Sequence, residues 1–301
     1  MIMPSLPPRP QSTELTQPCA ALLCFMLVSP LCGQSTISPS ERHAHAANAG
    51  WIDWRPSSTD GVVVTETCLS GHAWAGNFGW ILFGDGQPDN GHSYSNTSAT
   101  DFGVNLESTG HLTGYAWSPN VGWIVFESTH GNPKLDYQTG RITGHVWAPN
   151  IGWIELETPS STLSTVSISL PDSDEDGIPD AYESRHFDSL KTADESTDAD
   201  GDGVSDLNES IADTDPNDPA DHLRIVSHEY PDNFTKAFLT FTSRPSRFYQ
   251  IETSEDLQPP WTLTDPGTFA ADAGPTTSRL FKIDHTPRRF FRVIALRPLQ
   301  P

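Results

Sequence analysis

From residue 48 to residue 160 the chain alternates apolar and polar positions in short runs broken by Gly, Pro and Asn, the pattern of half-buried β-strands joined by tight turns. The pattern recurs. LSGHAWAGNFGWILF (69–83), LTGYAWSPNVGWIVF (112–126) and ITGHVWAPNIGWIEL (142–156) are full copies, and NAGWIDW (48–54) is a half copy ahead of them. A period of about 30 residues predicts stacked supersecondary units, each a strand, turn, strand, turn and strand. GDGQPDNGHSYSNTSATD (84–101) reads as a polar loop inserted between the first two full units.

Period two sorts the middle strand of each unit into faces. One carries Ser70, His72 and Trp74, with Thr113, Tyr115, Trp117 and Thr143, His145, Trp147 as equivalents; the other carries Leu69, Gly71 and Ala73 and their counterparts. Hydroxyl, imidazole and indole together suit a sugar ring, so His72, Trp74, Tyr115, Trp117, His145 and Trp147 are candidate ligand-binding residues. The same face also suits a half-buried seam, and the area each ring must bury favours core. The last strands read GWILF and GWIVF in the inner units but GWIDW and GWIEL at the outer ones. Asp53 and Glu155 thus replace Leu82 and Val125 at the two ends, which predicts an open stack with polar caps rather than a closed ring and assigns Trp123 and Val125 to core.

The pattern then changes twice. Residues 161–170 read as a linker or closing strand, and 171–221 form an acidic segment with 18 Asp and Glu against Arg185 and Lys191. From 222 to 301 short alternating runs such as AFLTFTS, RFYQIETS and RRFFRVIAL predict a small antiparallel β-sandwich. The expected fold class is therefore mainly β and multi-domain: a Trp-rich β-repeat array (48–160), a calcium-binding acidic loop segment with short helices (171–221) and a C-terminal sandwich (222–301).

At the N-terminus an apolar run, AALLCFMLV (20–28), is followed by Pro30 and the small residues of CGQS, so residues 1–35 read as a signal peptide. The run is too short to span a bilayer, and the mature chain is expected to be secreted or on the cell surface without a membrane span. It would keep Cys68 alone of four cysteines, hence no internal disulfide. Acids outnumber bases 39 to 17, which argues against nucleic acid or anionic lipid as partner, because a polyanion is repelled.

The acidic segment carries the clearest chemistry. DSDEDGIPDAYE (172–183) and DADGDGVSDLNE (198–209) share one twelve-residue plan, with carboxylates at places 1, 3, 5, 9 and 12 and glycine at place 6. Calcium takes about six to eight oxygens, and this spacing wraps a short loop around the ion to supply them. Asp172, Asp174 and Asp176 would ligate in the first loop, Asp198, Asp200 and Asp202 in the second. Ile178 and Val204 would offer backbone carbonyls, Asp180 and Asp206 a direct or water-mediated contact, and Glu183 and Glu209 a bidentate carboxylate. Pro179 departs from the usual hydrophobic eighth residue. These loops, followed by ADTDPNDPAD, resemble the thrombospondin type 3-like (EF-hand-like) calcium repeats of secreted modular bacterial proteins, over residues 171–221 only. The resemblance implies structural calcium and no catalysis by that segment.

Catalytic signatures are sparse. The chain has no GxSxG, HExxH, P-loop or GxGxxG; GHSYSN (91–96) places a serine beside a histidine but lacks the second glycine. His43 and His45 in ERHAHA could bind a metal weakly, but a solvated tail is the favoured reading. Arg244, Arg247, Arg288, Arg289, Arg292 and Arg297 form a candidate basic patch, for the acidic segment or an anionic polymer, or serve as ordinary solubilising charge. The expectation is a non-catalytic scaffold or adhesion protein with structural calcium. Its other candidate partners are extracellular polysaccharide, gripped by the tryptophan face, and other surface proteins. A hydrolase is the third reading.

Overall fold

The structure is a computed structural model in which residues 34–283 and 289–300 are described; nearly all of the expected signal peptide, and Arg288, lie outside them. The chain is mainly β. Its first part forms β1 (Ile37–Ala46), β2 (Gly50–Asp53), β3 (Val62–Val64), β4 (Cys68–Ala75), β5 (Gly79–Gly84), β6 (Val104–Leu106), β7 (Leu112–Ser118), β8 (Gly122–Phe126), β9 (Lys134–Leu135), β10 (Ile142–Thr143), β11 (His145–Ala148), β12 (Gly152–Glu155) and β13 (Leu163–Thr165).

Eight of these strands close into an antiparallel barrel in the order β1, β2, β4, β5, β7, β8, β11, β12, and β12 returns to β1 through Glu155 opposite His45 and Ile154 opposite Ala46. The expected open stack is therefore overturned. Asp53 and Glu155 are not at free ends; they share a ring position with Leu82 and Val125. Each faces the first ring of the next hairpin: Asp53 faces Trp74, Leu82 faces Trp117, Val125 faces Trp147 and Glu155 faces His45. All four are half-buried on the outer surface, where charge and hydrocarbon are both tolerated. Closure leaves the barrel no free edge, so no polar terminal unit is needed.

The half copy is a full one. β1 supplies its missing strand, pairing His45 with Trp51 and Ala44 with Ile52, just as Trp117 pairs with Trp123 and Ala116 with Ile124. Ala44 and Ala46 are fully buried in the core, so the reading of ERHAHA as a solvated tail is also overturned. Four hairpins thus build the ring.

Side-chain size follows the taper of a closed barrel. Nearest the hairpin turns, Ala46, Ala75, Ser118 and Ala148 lie opposite glycines. Ile52, Ile81, Ile124 and Ile154 fill the next layer, and Trp54, Phe83, Phe126 and Leu156 the widest, where Trp54 and Phe83 meet edge to face at 4.5 Å. The turns close the narrow end. Asn77 Nδ2 donates to the Ala49 carbonyl (3.0 Å), Asn48 to Ile151 (3.1 Å), Asn150 to Val121 (2.9 Å) and Asn120 to Phe78 (2.8 Å). These bonds run head to tail around the ring over an apolar plug of Ala49, Phe78, Val121 and Ile151. The glycine that follows each plug residue has φ between +80° and +91°, a turn conformation that explains the recurring N-x-G-W.

The segment 161–170 contains β13, paired with β1, and the buried Ile168. The insert is an ordered loop around buried Tyr94, whose hydroxyl accepts from Gly86 N–H at 2.7 Å. The acidic segment follows with α1 (Asp180–His186) and α2 (Asp206–Ala212), which enclose a small core of Ile178, Tyr182 and Ala193.

The C-terminal part has two antiparallel sheets. One contains β14 (Ile225–Glu229), β15 (Lys236–Thr242) and, after β16 (Phe248–Ser254), β17 (Thr262–Leu263) and β18 (Phe269–Ala270), the strand β19 (Thr276–Lys282). The other joins β16, β17 and β18 with β20 (Phe290–Leu296). Leu239 and Phe241 of the first meet Tyr249 and Ile251 of the second, with Ala212 of α2 in the same cluster. Three arginines of the candidate basic patch turn to the acidic segment. Arg244 pairs with Asp221, and Arg297 donates to Ser210 Oγ at 2.8 Å. Buried Arg247 donates to the Ile211 and Ser210 carbonyls at the end of α2 and pairs with Glu66 of the first part at 2.8 Å. Arg292 instead meets Glu252 of its own sheet at 2.6 Å.

Candidate metal loops and outer aromatic clusters

The two acidic loops fold alike. In the first, the Asp172 carboxylate accepts from Glu175 and Gly177 N–H at 2.8 and 2.9 Å; in the second, Asp198 accepts from Gly201 and Gly203 at 2.8 and 3.0 Å. Asp176 caps Ile178 N–H and Asp202 caps Val204 N–H, both at 2.8 Å. The sixth residues, Gly177 and Gly203, both have φ +95°, which a side chain would strain. This folding gathers Asp172, Asp174 and Asp176, and likewise Asp198, Asp200 and Asp202, with carboxylate oxygens within 4.8 Å of one another. Pro179, the departure at the eighth place, is the N-cap of α1 at φ −66°, where a ring costs nothing; Ser205 caps α2.

The twelfth residues decide what the loops can hold. Glu183 is fully buried and neither of its carboxylate oxygens has a hydrogen-bond partner. Glu209 is also fully buried; one oxygen accepts from Thr214 Oγ1 at 3.1 Å and the other has none. Burial, then the neighbouring Asp176 and Asp174, push the Glu183 carboxyl up to about 8. Burial likewise raises Glu209 to about 7 against the help of Thr214, with Asp200 and Asp202 adding to the rise. A buried acid without a partner is destabilising. A hard cation among these oxygens removes that penalty, and an all-oxygen set suits calcium. The residues present fit the ion. Ile178 and Val204 stand between the aspartates and the helices that carry Glu183 and Glu209, whereas Asp180 has both oxygens bonded to Ser173, at 2.7 and 2.6 Å. Asp206 accepts from Ala199 N–H at 3.0 Å and keeps one buried oxygen bare.

The second candidate surface lies outside the barrel. Because Ala and Ile point inward, the alternate residues point out, and each hairpin displays one cluster. Trp74 meets Trp80 edge to face at 4.7 Å with His72 beside it, and Trp147 meets Trp153 at 5.1 Å with His145 beside it. Trp117 meets Trp123 at 4.7 Å beside Tyr115, and His45 meets Trp51 at 4.7 Å beside His43. All six candidate residues therefore fall in three of the four clusters. The assignment of Trp123 and Val125 to the core holds in part: Trp123 is buried, but on the outer side of the barrel wall, and Val125 is only half-buried there. Trp51 and Trp80 are 48 % exposed, Trp153 44 % and Trp74 39 %, but Trp123 only 6 %. Phe102, immediately after the insert, covers Trp123 at 4.9 Å and 85°.

Sequence reasoning missed the first cluster and Phe102. The spacing of His45 to Trp51, six residues like that of Trp117 to Trp123, could have signalled the one; a lone aromatic closing a polar insert could have signalled the other. In GHSYSN, His92 Nδ1 and Ser93 Oγ both contact Asn90, at 3.1 and 3.2 Å. No helix among the described residues is long and apolar enough to cross a membrane. Compared with known proteins, no family model, no curated protein and no solved structure matches the chain.

Proposed function

We propose that the chain is an exported, non-catalytic scaffold or adhesion-type protein, secreted or held at the cell surface, whose acidic segment is clamped by two structural calcium ions. The observation that carries this reading is the pair of fully buried, under-bonded carboxylates, Glu183 and Glu209, each closing a loop of three converging aspartates. The loops support the likeness to thrombospondin type 3 repeats, and the two C-terminal sheets with their common core support a sandwich. Calcium would neutralise a self-repelling segment. It would thereby fix α2, whose last carbonyls hold Arg247 against Glu66 and so join the three parts of the chain. Calorimetric titration should give two calcium sites with dissociation constants of about 10⁻⁴ to 10⁻³ M, as in extracellular modules. Excess chelator should lower the melting temperature and admit protease between residues 171 and 221. An unchanged melting curve and digestion pattern would overturn the reading.

A second reading, carbohydrate recognition, is favoured by one observation: four of the seven clustered tryptophans stand more than a third exposed beside imidazole groups. Solvent-facing rings of this size are available for stacking. Saccharide-dependent quenching of tryptophan fluorescence tests it, and a flat titration with polysaccharide would remove it.

A further inference from the structure

The four aromatic clusters occupy equivalent positions around one barrel, one per hairpin, yet they are not equally open. Three present an exposed indole: Trp51 with His43 and His45, Trp80 with Trp74 and His72, Trp153 with Trp147 and His145. The fourth, Trp123 with Trp117 and Tyr115, is covered by the ring of Phe102. Phe102 gauges the seat: a six-membered ring fits against the indole, carried there by a polar stretch of chain.

We propose that the barrel is a multivalent receptor for a neutral polysaccharide, with three open aromatic subsites and a fourth that the chain has filled with its own Phe102. This deepens the carbohydrate reading above and rests on it. Three features of the surface select the ligand. Repeated identical subsites match a partner built of repeated units. The negative face of an indole attracts the polarised C–H bonds on one side of a pyranose, and the flanking imidazoles can bond its hydroxyls. The charge disfavours an anionic polymer: the chain carries a net charge of −22, Asp53 lies 3.8 Å from His43 and opposite Trp74, Glu155 lies 3.9 Å from His145, and Arg42, next to His43 in the chain, is paired with Asp53 at 3.5 Å. Subsites spaced around one rim let a long chain engage several at once, so affinity should rise steeply with polymer length.

The test is electrophoresis of the calcium-loaded protein through native gels containing hydroxyethylcellulose, mannan, galactan or xylan, with alginate as the anionic control. At least one neutral polymer should retard the protein and alginate should not. Trp51→Ala, Trp80→Ala and Trp153→Ala should each weaken retardation about three- to tenfold, and the triple variant should abolish it. Phe102→Ala should strengthen retardation by opening the fourth subsite. Oxidation of exposed indoles by N-bromosuccinimide, read by mass spectrometry on the unmutated protein, should show Trp51, Trp80 and Trp153 protected together by the polymer. Protection of one indole only, with Phe102→Ala folded but unchanged in retardation, would overturn the multivalent arrangement and leave a single-site carbohydrate reading. Absence of retardation on every neutral gel, or retardation by alginate alone, would overturn both.

Discussion

The barrel and the acidic segment are stabilised in opposite ways. The barrel meets nearly all its polar needs internally, the buried Ser118 hydroxyl excepted, since its ladders close on themselves, four asparagines satisfy turn carbonyls in a cycle and an apolar interior fills the ring. The acidic segment leaves Glu183 and Glu209 buried without sufficient donors around a core of only a few apolar residues. One region is complete as a chain; the other leaves buried carboxylates for which the proposed cation would supply the missing partner. The contrast teaches where a solvent condition can act on this molecule and where only a mutation can.

The largest effect should come from the barrel interior. Trp54→Ala removes the largest fully buried side chain and should cost about 3–5 kcal/mol. The loss, measured by denaturant unfolding, should be the same with and without calcium; a loss that calcium rescues would blur the contrast between the regions. Next comes the ion. At about one hundred times the dissociation constant, each bound calcium should add about 2.7 kcal/mol to the stability of the acidic segment. Glu183→Gln should remove much of that gain while raising metal-free stability, because the amide fills the same volume without the buried charge. If the variant loses stability in chelator, the Glu183 carboxylate is not the liability described here.

The effect of pH falls on the same two carboxylates. Glu183 titrates at about 8 and Glu209 at about 7 when folded, against 4.5 for an ordinary glutamate. Between these values the folded form holds more protons than the unfolded form, so metal-free stability should fall as pH rises from about 4.5 to 8. Bound calcium, which favours the carboxylate, should flatten or reverse that slope; melting curves at pH 5 and 8 with calcium and with chelator measure both. The smallest effect belongs to the turn cycle. Asn120→Ala loses one bond to the Phe78 carbonyl and should cost about 1 kcal/mol, seen as a modest shift in barrel unfolding with no change in calcium affinity.

The acidic loops were legible because each is local. Twelve consecutive residues contain all the proposed ligands, and Gly177 or Gly203 supplies the turn that brings them together. The aromatic face was legible as a face but not as an outside. Large rings were weighed toward the core because of the area they bury. A barrel of eight strands, however, has little room within; it takes Ala44, Ala73 and Ala116 inward and leaves Trp51, Trp74 and Trp80 outside. Likewise Asp53 and Glu155 suggested ends only while the array was assumed to have them.

The sequence by itself determined the repeat, its strand and turn pattern, and the calcium-type loops, because each depends on neighbours within a few dozen residues. Only the tertiary structure decided that the array closes, which face is inward, that ERHAHA completes a fourth hairpin and that Phe102 fills one aromatic seat. Those outcomes depend on contacts between distant residues, such as His45 with Glu155 and Phe102 with Trp123. Alternation along a strand marks two faces, but the curvature of the finished ring chooses between them.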